Sequence, residues 1–315
     1  MSAVRWEDVA AARERIRGIT HQTPVLTSST IDELTEGSLF FKCESFQRTG
    51  SFKLRGAGNA VARLSESERA GGVCAPSSGN FAQALAFAAR RAGMPAHIVM
   101  PENSNPVKVT ATRGYGATVH FCAPSNEARE TAVSEIRDRF GATLVHSHDD
   151  LDVIAGQGTA VCELIDEVGD LDIILAPVGG GGLISGTLVA TKHLLPGAQV
   201  IGCEPAGADD AARGIQQGRR IVDFVPNTVA DGLRTPLGVN TFCIMRELID
   251  DIVVVPETRI LPAMRFLWER MKIIVEPSSA VAIAPLLDGQ IDARGKRVGV
   301  ILSGGNADLS GLFPS

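Results

Sequence analysis

Three features of the 315-residue sequence predict an open α/β fold, with mostly parallel twisted sheets and helices on both faces. Short apolar or β-branched runs alternate with stretches of helical periodicity along the chain, the pattern of strand–helix–strand units. Glycine is abundant, 33 residues where ordinary usage of ~7 % would give fewer, as many tight turns and close backbone approaches require. One buried-looking run, DIILAPV, passes directly into four glycines and then into a helical stretch.

The strands expected on this basis are Leu39–Lys42, His97–Met100, Thr118–Phe121, Asp172–Val178, Gln199–Cys203, Asp251–Val255 and Arg297–Leu302. Each is apolar or β-branched and bounded by Gly, Pro, Asp or Asn. Lys53 stands at the start of a helix. Asn80–Ala92 carries alanines and apolar residues at helical spacing and stops at Arg90, Arg91 and Gly93. Asn126–Phe140 has the charge pattern of a solvated helix. Gly156–Val168, Leu183–Leu195 and Arg259–Met271 are further helices. No internal repeat, low-complexity tract or flexible linker divides the chain.

Composition narrows the function. Apolar residues make up 44 % and charged residues 21 %, so a chain of this length buries a sizeable core without disulfides. The net charge of −6 comes with no basic stripe, which argues against nucleic acid as a partner. No apolar run reaches the ~18 residues of a membrane span. The N-terminal MSAVRWEDVAAARERIRG is charged and amphipathic, unlike a secretory signal. No two of the six cysteines lie closer than Cys43 and Cys74, so none forms a zinc or redox motif. Buried, reduced thiols and a cytoplasmic location are expected.

The glycine loop carries the strongest chemical signal. Gly179, Gly180, Gly181 and Gly182 expose backbone N–H groups with no side chains in the way, and the following helix adds its own free N–H groups and partial positive charge. Together they suit a phosphate dianion. The loop lacks the Lys-Ser/Thr ending of a P-loop and the G-x-G-x-x-G dinucleotide pattern. A plain turn is the alternative, at the entropic expense of four glycines. Three other segments stand out. Lys53 lies between Phe52 and Leu54, and apolar surroundings disfavour its charged form and free its amine; otherwise it is a surface lysine. Ser77, Ser78, Gly79 and Asn80 make a polar turn before a helix, able to cradle a carboxylate or merely to cap. Ser303 ends an apolar run before Gly304 and Gly305, at the carboxyl end of a strand, where ligands of open α/β sheets gather.

Taken together and in this order, the motifs SFKLRGA, SSGN, IAGQGT, PVGGGGLISG, EPAGADDA, VADGL, IVEPSSA and LSGGN resemble the fold type II pyridoxal-phosphate enzymes of the serine/threonine dehydratase and serine racemase group. The resemblance runs from Thr23-Pro24 to Asn306. It implies a two-domain architecture like that of the tryptophan synthase β chain. A large cofactor-binding domain would comprise residues 1–71 and 150–315, and a small mobile substrate domain residues 72–149. By the resemblance, Lys53 forms the Schiff base with pyridoxal 5'-phosphate, and Gly179, Gly180, Gly181 and Gly182 hold its phosphate. Asn80 bonds the ring hydroxyl, Ser303 faces the ring nitrogen, and Phe52 and Gly232 flank the ring. Ser77, Ser78, Gly79 and Asn80 receive the substrate carboxylate. Lys53 removes the Cα proton, and Ser78 stands on the opposite face, where it could return a proton. Glu204, the Ala208 carbonyl and Asp210 match a divalent-cation site for Mg²⁺, Mn²⁺ or Ca²⁺; from spacing alone, Asp209 or Asp210 would cap the next helix instead. A homodimer is implied. So is the absence of the C-terminal regulatory domain of biosynthetic threonine dehydratases.

The implied reaction is dehydration of a 2-amino-3-hydroxy acid to a 2-oxo acid and ammonia. Amino-acid racemisation is the alternative from the same constellation, and a non-catalytic cofactor binder is a third reading that the SSGN turn disfavours. One departure and one match bear on substrate. Relatives commonly place His where this chain has Phe81, which would favour a β-aromatic substrate such as phenylserine. Arg129 matches an arginine able to meet a second carboxylate, which would favour 3-hydroxyaspartate. A second departure is His146-Ser147-His148, where relatives often read His-Pro-Phe or similar.

Overall fold

The computed structural model describes residues 4–307; the first three residues of the charged N-terminal stretch lie outside that range. Its strands are β1 (Val25–Leu26), β2 (Ser38–Cys43), β3 (Val73–Pro76), β4 (Ala96–Pro101), β5 (Thr118–Cys122), β6 (Thr143–Leu144), β7 (Ile173–Pro177), β8 (Gln199–Pro205), β9 (Asp251–Val255) and β10 (Arg297–Leu302). They form a six-stranded sheet of order β1-β2-β10-β7-β8-β9 and a four-stranded sheet of order β5-β4-β3-β6. Only β1 runs antiparallel, against β2; the other pairs are parallel.

Strand alternation sends successive side chains to opposite faces, and each sheet accordingly has two cores. In β7, Ile173 and Leu175 join one apolar cluster with Val298, Val300 and Leu302 of β10. Ile174 and Ala176 join the other, with Ile301. In the smaller sheet, Val73, Ala75, Ile98 and Met100 face one cluster, while Cys74 and Val99 face the second.

All seven strands expected from sequence are present, two with the expected ends and the others with ends within two residues. The three additional strands gave little signal: β1 and β6 have two residues each, and β3 is four residues ending in proline. Leu151–Val168 begins well before Gly156 because Asp150 Oδ1 accepts from the N–H groups of Asp152 (2.8 Å) and Val153 (3.1 Å). The amphipathic N-terminal stretch folds as the helix Trp6–Arg15, with Glu7 and Asp8 in its first turn and Arg13 and Arg15 in its last, matching the helix dipole. Five of the cysteines are buried free thiols as expected, but Cys243 is exposed, on the solvent face of the helix Val239–Leu248.

A buried ionic cluster holds the helix Lys53–Arg63 against the larger sheet. Arg55 is fully buried; its Nε and Nη2 donate to the two Glu44 oxygens, each at 2.8 Å. Its Nη1 and Nη2 donate to the two Glu163 oxygens, each at 2.7 Å. The Lys42 ammonium, also buried, completes the cluster on Glu163 at 2.7 Å. Four charges, two of each sign, thus compensate one another two residues beyond Lys53, with Arg55 bidentate to both carboxylates.

Candidate active site

The carboxyl ends of β7 and β10 and the front of the smaller sheet border one cavity of ≈ 750 Å³. Its walls bring together Phe52, Lys53, Ser77, Ser78, Gly79, Asn80, Phe81, Arg129, Gly179, Gly180, Gly181, Gly182, Gly232 and Ser303, residues singled out from sequence across the whole chain. Glu204, Ala208 and Asp210 lie elsewhere, Glu204 in the last residues of β8 and the other two just after it.

Lys53 is the first residue of its helix. The strand β10 positions it: Ser303 carbonyl accepts from the Phe52 N–H at 3.0 Å, and Ser51 bridges Gly304. Its Nζ donates to the Ser147 carbonyl at 3.3 Å and lies 4.8 Å from the centroid of the Phe52 ring. Burial lowers the amine to about 8, and the facing Glu276 only partly offsets this. A substantial neutral fraction therefore exists near pH 8, which suits both carbonyl addition and proton removal.

Next to the amine lies the glycine loop between β7 and the helix Gly182–Leu194. Gly181 has φ of +86°, which glycine adopts without strain, and it serves as the N-cap. The Gly180 carbonyl is tied back by the Thr241 hydroxyl at 2.9 Å. Among the described residues, the N–H groups of Gly179, Gly180 and Gly181 donate to nothing. Orphaned donors at a helix N-terminus, with carbonyls turned away, fit a phosphate.

On the opposite wall, Asn80 begins the helix Asn80–Arg91, with Gly79 as the N-cap and no side-chain cap. The serine turn is therefore not engaged in capping that helix. The Asn80 amide donates to both Glu276 oxygens at 3.0 Å and accepts from the Asn306 amide at 2.9 Å. Glu276 is pushed up to about 7 by burial, against the Asn80 hydrogen bond that pulls it down. The Ser303 hydroxyl is 3.1 Å from that of Ser279, which also donates to the Gly304 carbonyl at 2.7 Å. The Gly232 N–H donates to Ser278 Oγ at 3.0 Å.

The two substrate-directed residues differ. Phe81 borders the cavity, but it is only 2 % exposed and belongs to the apolar cluster of Leu54, Ala57 and Leu85. Arg129, in the first turn of Asn126–Phe140, has a buried Nε with no partner. The other cations at the cavity are engaged: Lys108 is paired with Asp231, and Arg234 donates to the Thr228 carbonyl at 2.7 Å.

At the end of β8, Glu204 is buried and accepts from the N–H groups of Ala211 (2.9 Å) and Ala212 (2.8 Å). Glu204, rather than the side chain of Asp209 or Asp210, thus satisfies free N–H groups in the first turn of the helix Asp210–Gln217. Burial pushes Glu204 up to about 8 and Asp210 up to about 7. The nearby Arg213 guanidinium pairs with Asp209 at 2.7 Å. Two buried carboxylates without a cation of their own fit a hard divalent ion chemically. Among the described residues, no group of three or more His, Cys, Asp or Glu side chains converges.

The comparisons with known proteins agree with this geometry. Residues 16–304 match the family described as pyridoxal-phosphate dependent enzyme. The chain belongs to that family. A serine racemase from Dictyostelium discoideum is 46 % identical over 316 residues, covering 99 % of this chain and 98 % of the relative. An L-threo-3-hydroxyaspartate ammonia-lyase from a Pseudomonas species is 46 % identical over 310 residues, covering 98 % and 97 %. The solved structure of maize serine racemase superimposes with a TM-score of 0.96 at 41 % identity, covering 98 % of this chain and 96 % of that one. The fold is that of the type II pyridoxal-phosphate enzymes, as expected from sequence. No helix among the described residues is long and apolar enough to cross a membrane.

Sequence reasoning passed over Glu276, Asn306, Lys108 and Asp231. Glu276 carried a signal, a lone carboxylate in the apolar stretch IIVEPSSA. Asn306 and the Lys108–Asp231 pair meet their partners only through the fold.

Proposed function

We propose that this enzyme dehydrates and deaminates 3-hydroxyaspartate, giving a 2-oxo dicarboxylic acid and ammonia. The unpaired, buried Arg129 Nε at the cavity wall carries the reading. A buried guanidinium N–H without a partner is unfavourable, and a second substrate carboxylate supplies one. The name of the Pseudomonas relative points to the same substrate class. Phe81 favours phenylserine less, because its ring is part of the core.

Bound pyridoxal 5'-phosphate supplies the electron sink that acidifies the substrate Cα–H. Lys53 would hold the cofactor through its aldehyde, and its amine is placed to take the proton from the substrate Cα. Gly179, Gly180, Gly181 and Gly182 receive the phosphate. Asn80, whose amide hydrogens go to Glu276, would meet the ring hydroxyl through its Oδ1, which also accepts from Asn306. Ser303 would offer the ring nitrogen a neutral hydrogen-bond partner, and Phe52 and Gly232 would bound the ring. Ser77, Ser78 and the Gly79 and Asn80 N–H groups take the substrate's α-carboxylate, and Arg129 takes the second one. Loss of the Cα proton and the β-hydroxyl releases water; hydrolysis of the enamine then releases ammonia.

Residues 72–149 would close over residues 1–71 and 150–315, since Asn80–Glu276 and Lys108–Asp231 both span that division. A divalent cation would be held by Glu204, the Ala208 carbonyl and Asp210 as a structural ion. Racemisation remains a second reading because Ser78 borders the same cavity as Lys53 and could deliver a proton to Cα.

A panel of 3-hydroxyaspartate, serine, threonine and phenylserine in each stereochemistry tests the proposal, reading ammonia release and the chirality of recovered substrate. The highest kcat/KM should fall on 3-hydroxyaspartate. Preference for phenylserine would restore the reading from Phe81, and inversion without ammonia would make the enzyme a racemase.

A further inference from the structure

His146-Ser147-His148 lies between the reacting amine and the glycine loop. The Ser147 carbonyl accepts from Lys53. His148 sits on the loop itself. A Cβ at position 180 would lie 2.4 Å from its Cγ and 2.5 Å from its Cδ2, so the glycine there is what lets the imidazole approach. A Cβ at position 182 would lie 3.1 Å from its Cα. The ring Nδ1 is 3.1 Å from the Ser147 hydroxyl, and among the described residues Nε2 has no hydrogen-bond partner. His148 is 8 % exposed and borders the cavity.

The groups facing this imidazole are His146, whose ring packs edge-on at 4.4 Å between centroids, Lys53 and Arg220. All oppose a proton on it, and burial opposes it more; His148 is held well below the ordinary histidine value. The neighbouring carboxylate of Asp149 gives no relief. It is taken by the N–H groups of Val239 (2.9 Å), Asn240 (2.8 Å) and Thr241 (3.1 Å). A neutral imidazole thus stands in a positive field beside three orphaned N–H groups, a setting that lacks only an anion.

We propose that His148 is a further ligand of the cofactor phosphate, donating from Nε2, and that phosphate binding transfers a proton from solvent onto its imidazole. This rests on the assignment of Gly179–Gly182 to the phosphate. The linkage has one sign. An anion raises the imidazole pKa, so binding takes up a proton, and affinity falls as pH rises through the bound-state value. Phenylalanine at this position could do neither.

The test compares wild type, His148→Gln and His148→Phe. The dissociation constant of pyridoxal phosphate is measured by fluorescence between about pH 6.5 and 9, where the free phosphate is mostly a dianion. Proton uptake is measured by calorimetry in buffers of different ionisation enthalpy. His148→Phe should weaken binding about tenfold at neutral pH, the loss of one charge-assisted hydrogen bond. His148→Gln should bind with proton uptake smaller than wild type and a flatter pH dependence. Pyridoxal, which lacks the phosphate, should bind all three alike. If Gly181→Asp also weakens pyridoxal phosphate while both His148 variants match wild type at every pH, the histidine proposal is overturned and the loop assignment stands. If Gly181→Asp changes nothing, the loop assignment itself fails. Should the variants not fold, imidazole ¹⁵N spectra of wild type decide: one histidine should move to the protonated range on cofactor addition, and no movement refutes the proposal.

Discussion

Arg129→Gln separates recognition of a second carboxylate from everything else the cavity does. The substitution keeps a polar side chain of similar reach and removes the charge. In wild type the guanidinium Nε is buried and unpartnered, Lys108 is neutralised by Asp231, and Arg234 is turned to a carbonyl. Lys53 is committed to the cofactor in the proposed mechanism. A substrate β-carboxylate would therefore lose its one available counter-charge. Breaking a desolvated charge pair costs roughly 2–5 kcal/mol. A cavity of this size, open to water at its mouth, places the loss near the lower end, about 2 kcal/mol, or about 30-fold in kcat/KM. Glutamine retains one donor, so the loss should not be total. Serine has no second carboxylate, and its kcat/KM should change by less than about threefold. Arg129→Lys should recover part of the lost rate, since it restores charge without the planar fork. The assay is 2-oxo acid formation from 3-hydroxyaspartate and from serine by the same preparations, with cofactor absorbance confirming equal loading. Equal falls on both substrates would show that Arg129 only supports its helix, and the dicarboxylate reading would lose its basis.

Lys53→Ala should abolish both the absorbance of the lysine-bound cofactor and turnover; near-wild-type activity would sink the assignment. In wild type, reconstitution should speed up as pH rises toward about 8, where the buried amine loses its proton, and level off above it; a rate that keeps rising in proportion to hydroxide toward pH 10 would show an ordinary lysine. Glu204→Gln with Asp210→Asn should remove any increase in Tm brought by Mg²⁺, Mn²⁺ or Ca²⁺ while leaving cofactor absorbance intact. Equal stabilisation of wild type and double variant by the cation would mean that no site exists there. Arg55→Met should lower stability by about 3–5 kcal/mol, because Glu44 and Glu163 are left buried with only Lys42 to compensate them; urea unfolding measures it, and a loss below about 1 kcal/mol would show that the cluster relaxes.

Local sequence was enough wherever a residue's role depends on its immediate neighbours. The seven longer strands, the helix beginning at Lys53 and the helix Asn126–Phe140 were legible, because strand and helix periodicities are written into consecutive residues. The glycine loop was legible for the same reason: backbone N–H groups are exposed by the absence of side chains, a property of the four residues themselves. The short strands β1, β3 and β6 were not, since two to four residues carry no period and exist only by pairing with neighbours distant in sequence. Tertiary structure also decided what each side chain faces. Phe81 and Arg129 both suggested a substrate from sequence, and only packing turned one ring into the core and left the other's guanidinium at the cavity wall. Glu276 and Asn80 are 196 residues apart, as are no local motif's members, and meet at 3.0 Å. His148 became part of the glycine loop's surroundings because a glycine 32 residues later leaves room for its ring. Burial sets the charge of Lys53, Glu276, Glu204 and His148, and burial belongs to the assembled chain.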